Sequence, residues 1–260
     1  MSLPASSGMF RELVESSLGR TERAALAFAG RRWTFGEVLD AVARTSDGLA
    51  AQGIGRGMRA AVALPNIPEA VYLVYALSRR GATAVMLHPL SAEGEISDSL
   101  AKADCRIAFC LPGDEEKFAV VPGMTIVSVS PAASLSPALR LFFGFRERWS
   151  SGNRRRPPGP PSSGGASGRA RRMTWPAFLR QGREAPESRY EGDTSDEDIA
   201  LILGSGGTGG APKLVLLSNR AVSSLARSVQ SLNRSGDNDG ILCLMPFFHG
   251  FGLCFCLHAG

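Results

Sequence analysis

A glycine-rich loop with two hydroxyl groups and one lysine is the part of the sequence best suited to bind phosphate. An apolar run at residues 199–203 has the length and bulk of a buried strand. It leads into residues 204–213, which contain five glycines and the side chains of Ser205, Thr208 and Lys213. Glycines let successive backbone N–H groups converge on an anion without side chains in the way. The predicted phosphate site consists of Ser205, Gly206, Gly207, Thr208, Gly209, Gly210 and Lys213.

Two common nucleotide loops fit this sequence poorly. The P-loop of NTPases needs a Gly-Lys-Ser/Thr step into a helix, whereas Lys213 follows Pro212 and precedes a leucine. The dinucleotide fingerprint matches literally at 204–209, but Pro212 stands where its helix needs backbone donors. No acidic residue lies about twenty positions further on to bind a ribose. A nucleotide-dependent oxidoreductase therefore stays a less favoured alternative, and so does a glycine-rich loop without function.

A histidine among phenylalanines follows the loop by a few dozen residues. Residues 244–253 are Leu-Met-Pro-Phe-Phe-His-Gly-Phe-Gly-Leu. Taken alone, a histidine in such a place is more often a hydrogen-bonded core residue than one that faces a ligand. The surrounding stretch, 241–260, is also long enough to span a bilayer. Pro246, two histidines and the lack of flanking basic residues favour a buried helix-and-loop segment instead.

Both motifs resemble those of the adenylate-forming (AMP-binding) enzymes of acyl-CoA or acyl-carrier-protein synthetase type. Residues 205–214 align without gaps to the family's Thr-Ser-Gly-Thr-Thr-Gly-x-Pro-Lys-Gly, with departures at Gly206, Gly209 and Leu214. Residues 246–252 are similar to its Pro-Leu-Phe-His-Ser-Phe-Gly segment. Two phrases nearer the start are similar as well, namely Trp-Thr-Phe-Gly-Glu-Val at 33–38 and Leu-Pro-Asn-Ile-Pro-Glu at 64–69. The resemblance covers residues 20–112 and 196–260.

The resemblance implies ATP-dependent activation of a carboxylic acid through an acyl-adenylate, followed by transfer to the thiol of CoA or an acyl carrier protein. It assigns catalytic roles to Thr208, Lys213 and His249. The implied acyl-pocket residues are Phe248, His249, Gly250 and Phe251. ATP and Mg²⁺ are the implied cofactors, and the protein ligand of magnesium is expected in a C-terminal Tyr-Gly-x-Thr-Glu phrase outside these 260 residues, so no metal ligand is predicted here. The phenylalanine-rich motif favours a fatty acid of medium or long chain.

Alternating strand and helix signals predict the elements that position these motifs. Strands are expected at 24–28, 60–64, 84–87, 106–110 and 199–203. Thr34 and Glu37 form a capping box that opens a helix ending at Gly53. Further helices are expected from Pro68 to Gly81 and over 93–102. This alternation is typical of an α/β fold in which helices flank a parallel sheet. The resemblance makes it the N-terminal portion of the large domain of an adenylate-forming enzyme, which is expected to be truncated.

Composition divides the chain into three predicted segments. Residues 1–135 form the first α/β part, 136–195 a low-complexity insertion rich in Arg, Pro, Gly and Ser, and 196–260 the incomplete phosphate-loop and acyl-pocket segment. The net charge of +5 is local, because eight arginines and one glutamate lie within 146–172. Such a run is typical of a solvated linker.

The partner and location predictions follow from charge and from cysteine surroundings. Peripheral contact of the basic run with a membrane stays open, and no nucleic-acid partner is predicted. Five cysteines in mostly apolar surroundings and no signal segment predict a cytoplasmic protein. Truncation and the glycines at 206 and 209 leave a catalytically inactive homologue as the alternative function.

Overall fold

A mostly parallel sheet of seven strands lies at the centre of the molecule. The structure, a computed structural model, describes residues 8–136, 139, 170–184, 194–205, 213–232 and 239–260. The strands are β1 (Ala24–Phe28), β2 (Arg31–Thr34), β3 (Arg59–Ala63), β4 (Thr83–Met86), β5 (Ile107–Cys110), β6 (Thr125–Ser128), β7 (Arg171–Thr174), β8 (Ile199–Gly204) and β9 (Leu214–Ser218). The large sheet has the order β7-β6-β5-β3-β4-β8-β9, and β1 and β2 form a separate hairpin. Neighbours in the large sheet are parallel except β8 and β9.

Helices cover both faces of the sheet. They are α1 (Met9–Ser17), α2 (Phe35–Ala51), α3 (Pro68–Arg79), α4 (Glu93–Ala103), α5 (Trp175–Glu184) and α6 (Asn219–Leu232). Strand β3 has apolar side chains on both faces of the sheet, so both faces need helices to bury them. Its Ala60 and Val62 belong to the apolar cluster shared with α2, α3 and α5, and its Ala61 and Ala63 to the cluster shared with α4. Residues 60–63 of this parallel strand are buried on both faces and are all apolar, as the sequence predicts.

The predicted capping box at the start of α2 is confirmed. Thr34 Oγ1 accepts a hydrogen bond from the Glu37 backbone N–H at 3.2 Å, and Glu37 Oε2 accepts one from the Thr34 backbone N–H at 2.9 Å. Val38, Val42 and Leu49 then face the core. The two bonds satisfy N–H groups that the first helical turn leaves without a partner.

Residues 170–184 differ from what a low-complexity insertion over 136–195 predicts. They form strand β7, paired with β6, and helix α5. The arginines of β7 suggested a solvated linker, but β7 is an edge strand on which Arg171, Arg172 and Thr174 are exposed and Met173 packs on the core. Arg172, for example, donates two hydrogen bonds to Glu116, at 2.7 and 2.8 Å. Charged side chains are common on edge strands because they discourage pairing with other chains. The arginine-rich part at 146–169 lies outside the described residues.

Helix α5 is anchored by aromatic packing and by a close approach to α2. The Phe178 side chain is fully buried, with its ring centroid 5.3 Å from that of Phe109. Where the two helices cross, a β-carbon at residue 182 would lie 2.4 Å from the backbone nitrogen of Gly48. Only glycine fits at such a distance, so the pair Gly48 and Gly182 sets the separation of the helices.

The apolar stretch 241–260 forms irregular chain followed by a π-helix (Phe251–His258). Among the helices that the structure describes, none is long and apolar enough to cross a membrane. The irregular chain and the helix agree with the predicted helix-and-loop segment, but burial does not extend over all of it, since Leu242 and Leu244 are each 77% exposed.

Substituting Gly182→Ala tests the helix crossing. The added methyl group must displace the α2 backbone, so we expect a loss of about 1–3 kcal/mol in the free energy of unfolding, measured in urea. Gly94→Ala is the matched control, since a β-carbon there meets no atom within 4 Å. It should cost nothing, because alanine favours helix over glycine. Equal stabilities for the two variants would contradict the proposed constraint.

Candidate functional site

The predicted phosphate loop is the turn of a β-hairpin. Strands β8 and β9 pair antiparallel up to Gly204 and Leu214. Beyond them the Ser205 backbone N–H donates to the Lys213 carbonyl at 2.8 Å, and the Lys213 N–H donates to Ser205 Oγ at 3.1 Å. The first and last predicted phosphate residues are therefore held side by side. Residues 206–212, including Gly206, Gly207, Thr208, Gly209 and Gly210, lie outside the described part of the chain.

The pairing leaves both end residues with donors for an anion. The Ser205 hydroxyl accepts from Lys213, so its own proton remains available to a phosphate oxygen. The Lys213 side chain is exposed. An ammonium group and a hydroxyl at the two ends of a glycine-rich loop are suited to bind a polyphosphate.

The hairpin projects from the edge of the sheet where parallel strands end. Leu203 of β8 pairs with Met86 of β4, so Ser205 and His88 both follow the ends of adjacent strands. Asn66 lies just beyond the end of β3, the next strand across. Loops at this edge of an open α/β sheet commonly bind ligands.

The aromatic segment lies against this edge. Phe247 is buried in the main core, and the Phe248 ring centroid lies 4.4 Å from that of His88. His249 is exposed, with its ring 4.9 Å from that of Phe248. A β-carbon on Gly250 would lie 3.4 Å from Leu203 Cδ1, at the end of β8. The structure therefore places Phe248, His249 and Gly250 beside the strand that leads into the phosphate loop.

Phe251 occupies a different position from its neighbours. It begins the π-helix, its ring stacks on that of Phe255 at 4.5 Å, and 53% of the residue is exposed. Just after it, a β-carbon on Gly252 would lie 2.1 Å from the Pro246 carbonyl oxygen. The close approach of the first turn of the π-helix to Pro246 therefore requires glycine at 252.

A buried polar cluster fixes the far end of the same segment. Glu12 Oε2 lies 2.8 Å from His258 Nε2 and accepts a hydrogen bond from Ser223 Oγ at 2.9 Å. Glu12 Oε1 accepts one from Arg227 Nη2 at 3.0 Å, and the Tyr75 hydroxyl lies 3.3 Å from His258 Nδ1. Helices α1, α3 and α6 thus all meet the end of the π-helix.

The cluster strongly favours the ionised form of Glu12. Burial alone raises the pKa of this carboxyl group. The hydrogen bond and charge of His258, with the hydrogen bonds from Ser223 and Arg227, outweigh burial and lower the pKa to about 2. A half-buried carboxylate stays ionised here because each of its oxygens is paired.

The cysteines are poor candidates for chemistry. Burial raises the pKa of Cys105 and Cys110 to about 12 and that of Cys254 to about 11. Such thiols are neutral near pH 7 and are weak nucleophiles. In the described part of the chain, no group of three His, Cys, Asp or Glu side chains is arranged to hold a metal ion.

A shallow cleft of about 430 Å³ lies on the opposite face of β8 and β9, beside α4. It is lined by Arg59, Lys102, Ala103, Ile202, Lys213, Leu214 and Leu216. Ile202 packs with the α4 cluster, whereas Leu203 packs with the cluster that contains Phe247. Of the described residues, Lys213 borders the cleft and residues 247–251 do not. The aromatic segment is therefore separated from this cleft by the thickness of the sheet.

Comparison with known proteins identifies the family. A sequence profile described as "AMP-binding enzyme" matches residues 14–260. The chain belongs to the AMP-binding enzyme family. It is 26% identical to 4-coumarate–CoA ligase 3 of Oryza sativa subsp. japonica over 238 residues, covering 89% of this chain and 36% of the rice protein. It is 25% identical to a long-chain-fatty-acid–CoA ligase of Bacillus subtilis (strain 168) over 259 residues, covering 93% of this chain and 42% of that protein.

A solved structure confirms the fold of this AMP-binding chain. The crystal structure of VinN superimposes with a TM-score of 0.73 at 22% identity, covering 99% of this chain and 55% of VinN. The predicted α/β architecture is thereby confirmed. The chain spans about two fifths of the length of the two curated relatives named above.

Three residues that hold the candidate site together escaped the sequence analysis. Asn66 was quoted only as part of a structural phrase, although an asparagine at the end of a parallel strand is a signal for a polar role at that edge. His88 has no such signal, since its contact with Phe248 joins distant parts of the chain. Glu12 lies 246 residues from its partner His258, a separation that periodicity does not detect.

Acid unfolding tests the Glu12 cluster. The pKa of Glu12 is lower in the folded protein than the ordinary 4.5, so its stabilising contribution is complete above pH 4.5 and is lost as the pH falls towards 2. For a shift of this size the loss is on the order of 3 kcal/mol. We expect the free energy of unfolding to fall less steeply over this interval in Glu12→Gln than in the unsubstituted chain. Glu15→Gln, which removes an exposed pair with Arg11, should leave the slope unchanged. Identical slopes for all three proteins would show that Glu12 does not titrate in this way.

Proposed function

We propose that this chain takes part in ATP-dependent activation of a carboxylic acid. A carboxylate oxygen attacks the α-phosphorus of ATP, the bond to pyrophosphate breaks, and an acyl-adenylate forms. A thiol sulfur of CoA or an acyl carrier protein then attacks the acyl carbon, losing its proton, and AMP leaves. The observation that carries the proposal is the position of the His249 segment at the end of β8, the strand that leads into the glycine-rich loop: a β-carbon on Gly250 would lie 3.4 Å from Leu203 Cδ1, one residue before Gly204.

The phosphate role is supported by Ser205 and Lys213, the two hydrogen-bonded residues at the base of the hairpin loop. Lys213 supplies a positive charge and Ser205 a hydroxyl donor, and their mutual hydrogen bonds hold them at a fixed separation. Thr208 and the glycine N–H groups, which belong to the undescribed part of the loop, are proposed to complete the cradle. Donors fixed in place before the nucleotide arrives stabilise developing charge without reorganisation.

The aromatic segment supports the acyl role. His249 is exposed at the sheet edge, where an imidazole N–H can donate to the acyl oxygen, and Phe248 offers an apolar ring next to it. Gly250 lies beside β8, since a β-carbon on it would come within van der Waals contact of Leu203 Cδ1. Phe251, on the exposed side of the π-helix, is proposed to contact the distal part of the acyl group.

The choice of acid and of acceptor rests on the apolar side chains of the aromatic segment and on the names of two relatives. Two relatives are a 4-coumarate–CoA ligase and a long-chain-fatty-acid–CoA ligase, whose names specify bulky, largely apolar acids. With the phenylalanines of residues 247–255, this favours a fatty acid as substrate and CoA as acceptor. Mg²⁺ is proposed to accompany the ATP phosphates, and we assign none of the described residues to it. A cytoplasmic location with peripheral membrane contact stays a prediction.

Lys213→Met tests the phosphate role. Acid-dependent exchange of labelled pyrophosphate into ATP by the 260-residue chain should fall about ten- to hundred-fold, since a charge-assisted hydrogen bond to a phosphate oxygen is worth about 1.5–3 kcal/mol. The matched control is Lys117→Met, which removes an ion pair with Asp114 elsewhere on the surface and should leave exchange unchanged.

Two results would contradict the proposal. Pyrophosphate exchange that needs no acid would exclude acid activation. No exchange, combined with no thermal shift on addition of a non-hydrolysable acyl-adenylate analogue, would favour the inactive homologue instead. Protection from proteolysis by NAD would support the oxidoreductase.

A further inference from the structure

The side-chain amide of Asn66 forms hydrogen bonds with one segment that is distant in sequence. Its Nδ2 donates to the carbonyl oxygens of Cys243 and Met245, at 3.0 and 2.8 Å. Its Oδ1 accepts a hydrogen bond from the backbone N–H of Phe247 at 2.9 Å. Three backbone groups, 177 to 181 residues away in sequence, are thus bound by a single side chain.

The segment depends on these bonds because it has no regular structure. Residues 241–246 belong to no helix or strand, so their backbone groups lack the partners that a ladder would supply. Partly buried backbone groups without partners are costly and are rarely found. Asn66 satisfies two carbonyls and one N–H in the few residues directly before Phe248 and His249.

The fixed backbone sets where the next residues lie. Phe247, bound to Asn66, is 3% exposed and anchors the chain in the main core. The following residue, Phe248, then meets the ring of His88, and Gly250 meets Leu203 at the end of β8. A shift of the 243–247 backbone would move Phe248 away from the His88 ring and Gly250 away from the end of β8.

We propose that Asn66 is a positioning residue that places Phe248 and His249 for binding of the acid. The inference rests on the proposed function, because it takes these two residues as the border of the acyl group. Asn66 does not itself need to touch a substrate. Its effect therefore falls on the acid, while the ATP phosphates remain bound by the hairpin.

The chemistry of the contact specifies asparagine. Two donors and one acceptor are needed in one short, planar group, which is what a carboxamide offers. Aspartate at this position keeps the acceptor for Phe247 but turns an oxygen towards two carbonyl oxygens. Alanine removes all three bonds without adding repulsion.

The test compares Asn66→Ala and Asn66→Asp with the control Gln52→Ala. Gln52 is also half-buried, and its Nε2 donates to Gln181 Oε1 at 2.7 Å between helices α2 and α5, so its loss removes an amide hydrogen bond of the same kind. Two quantities are measured on the 260-residue chain, namely hydrogen–deuterium exchange of the amides in 247–253 and the KM values for acid and ATP in pyrophosphate exchange. The first requires no catalysis.

We expect both Asn66 variants to exchange the 247–253 amides about tenfold faster and to raise the KM for the acid about tenfold. The KM for ATP should change less than about twofold, and Gln52→Ala should change none of these quantities. An Asn66 variant that melts at a lower temperature yet keeps normal exchange at 247–253 and a normal acid KM would overturn the proposal. If the unsubstituted chain shows no acid-dependent activity, the proposed function fails, and unchanged amide exchange in the Asn66 variants would still refute positioning by this residue.

Discussion

The burial of β8 between β4 and β9 is the constraint on which the candidate site depends. Leu201 and Leu203 pack into the cluster shared with α2 and α3, and Ile202 packs into the cluster under α4. Because both faces of the strand are packed, a shift by one residue would exchange the side chains between two differently shaped apolar clusters. The position of Gly204, and with it the start of the phosphate hairpin, is therefore set by the core.

The segment that carries His249 is held in a different way. It lacks the hydrogen bonds of a helix or strand over 241–246, and two polar side chains from the first third of the chain secure it. Asn66 binds its beginning, and Glu12 binds His258 at its end. The intervening turn is tightened by the close approach of Gly252 to Pro246. The site is thus assembled from distant parts of the sequence by directional bonds rather than by packing alone.

This division explains how much the sequence could predict. The sequence predicted strands such as β3 and β8 correctly, because local apolar runs determine them. It also predicted the capping box at Thr34, because the four-residue motif from Thr34 to Glu37 determines it. Strand β7 was missed because an exposed edge strand needs no apolar run, and its arginines suggested a solvated linker. Within the candidate site, the sequence indicated Lys213 as a lysine next to a glycine-rich run and His249 as a histidine among phenylalanines. The contact of His88 with Phe248 depends on tertiary packing, which no local pattern encodes.

The hydrogen bonds between Ser205 and Lys213 offset part of the entropic cost of closing the phosphate loop. Bringing the two ends of a loop together costs free energy that grows with the logarithm of its length. Here folding of β8 against β9 closes the loop, so that cost is met by the sheet before any nucleotide binds. Less of the binding energy of a polyphosphate is then spent on bringing Ser205 and Lys213 together.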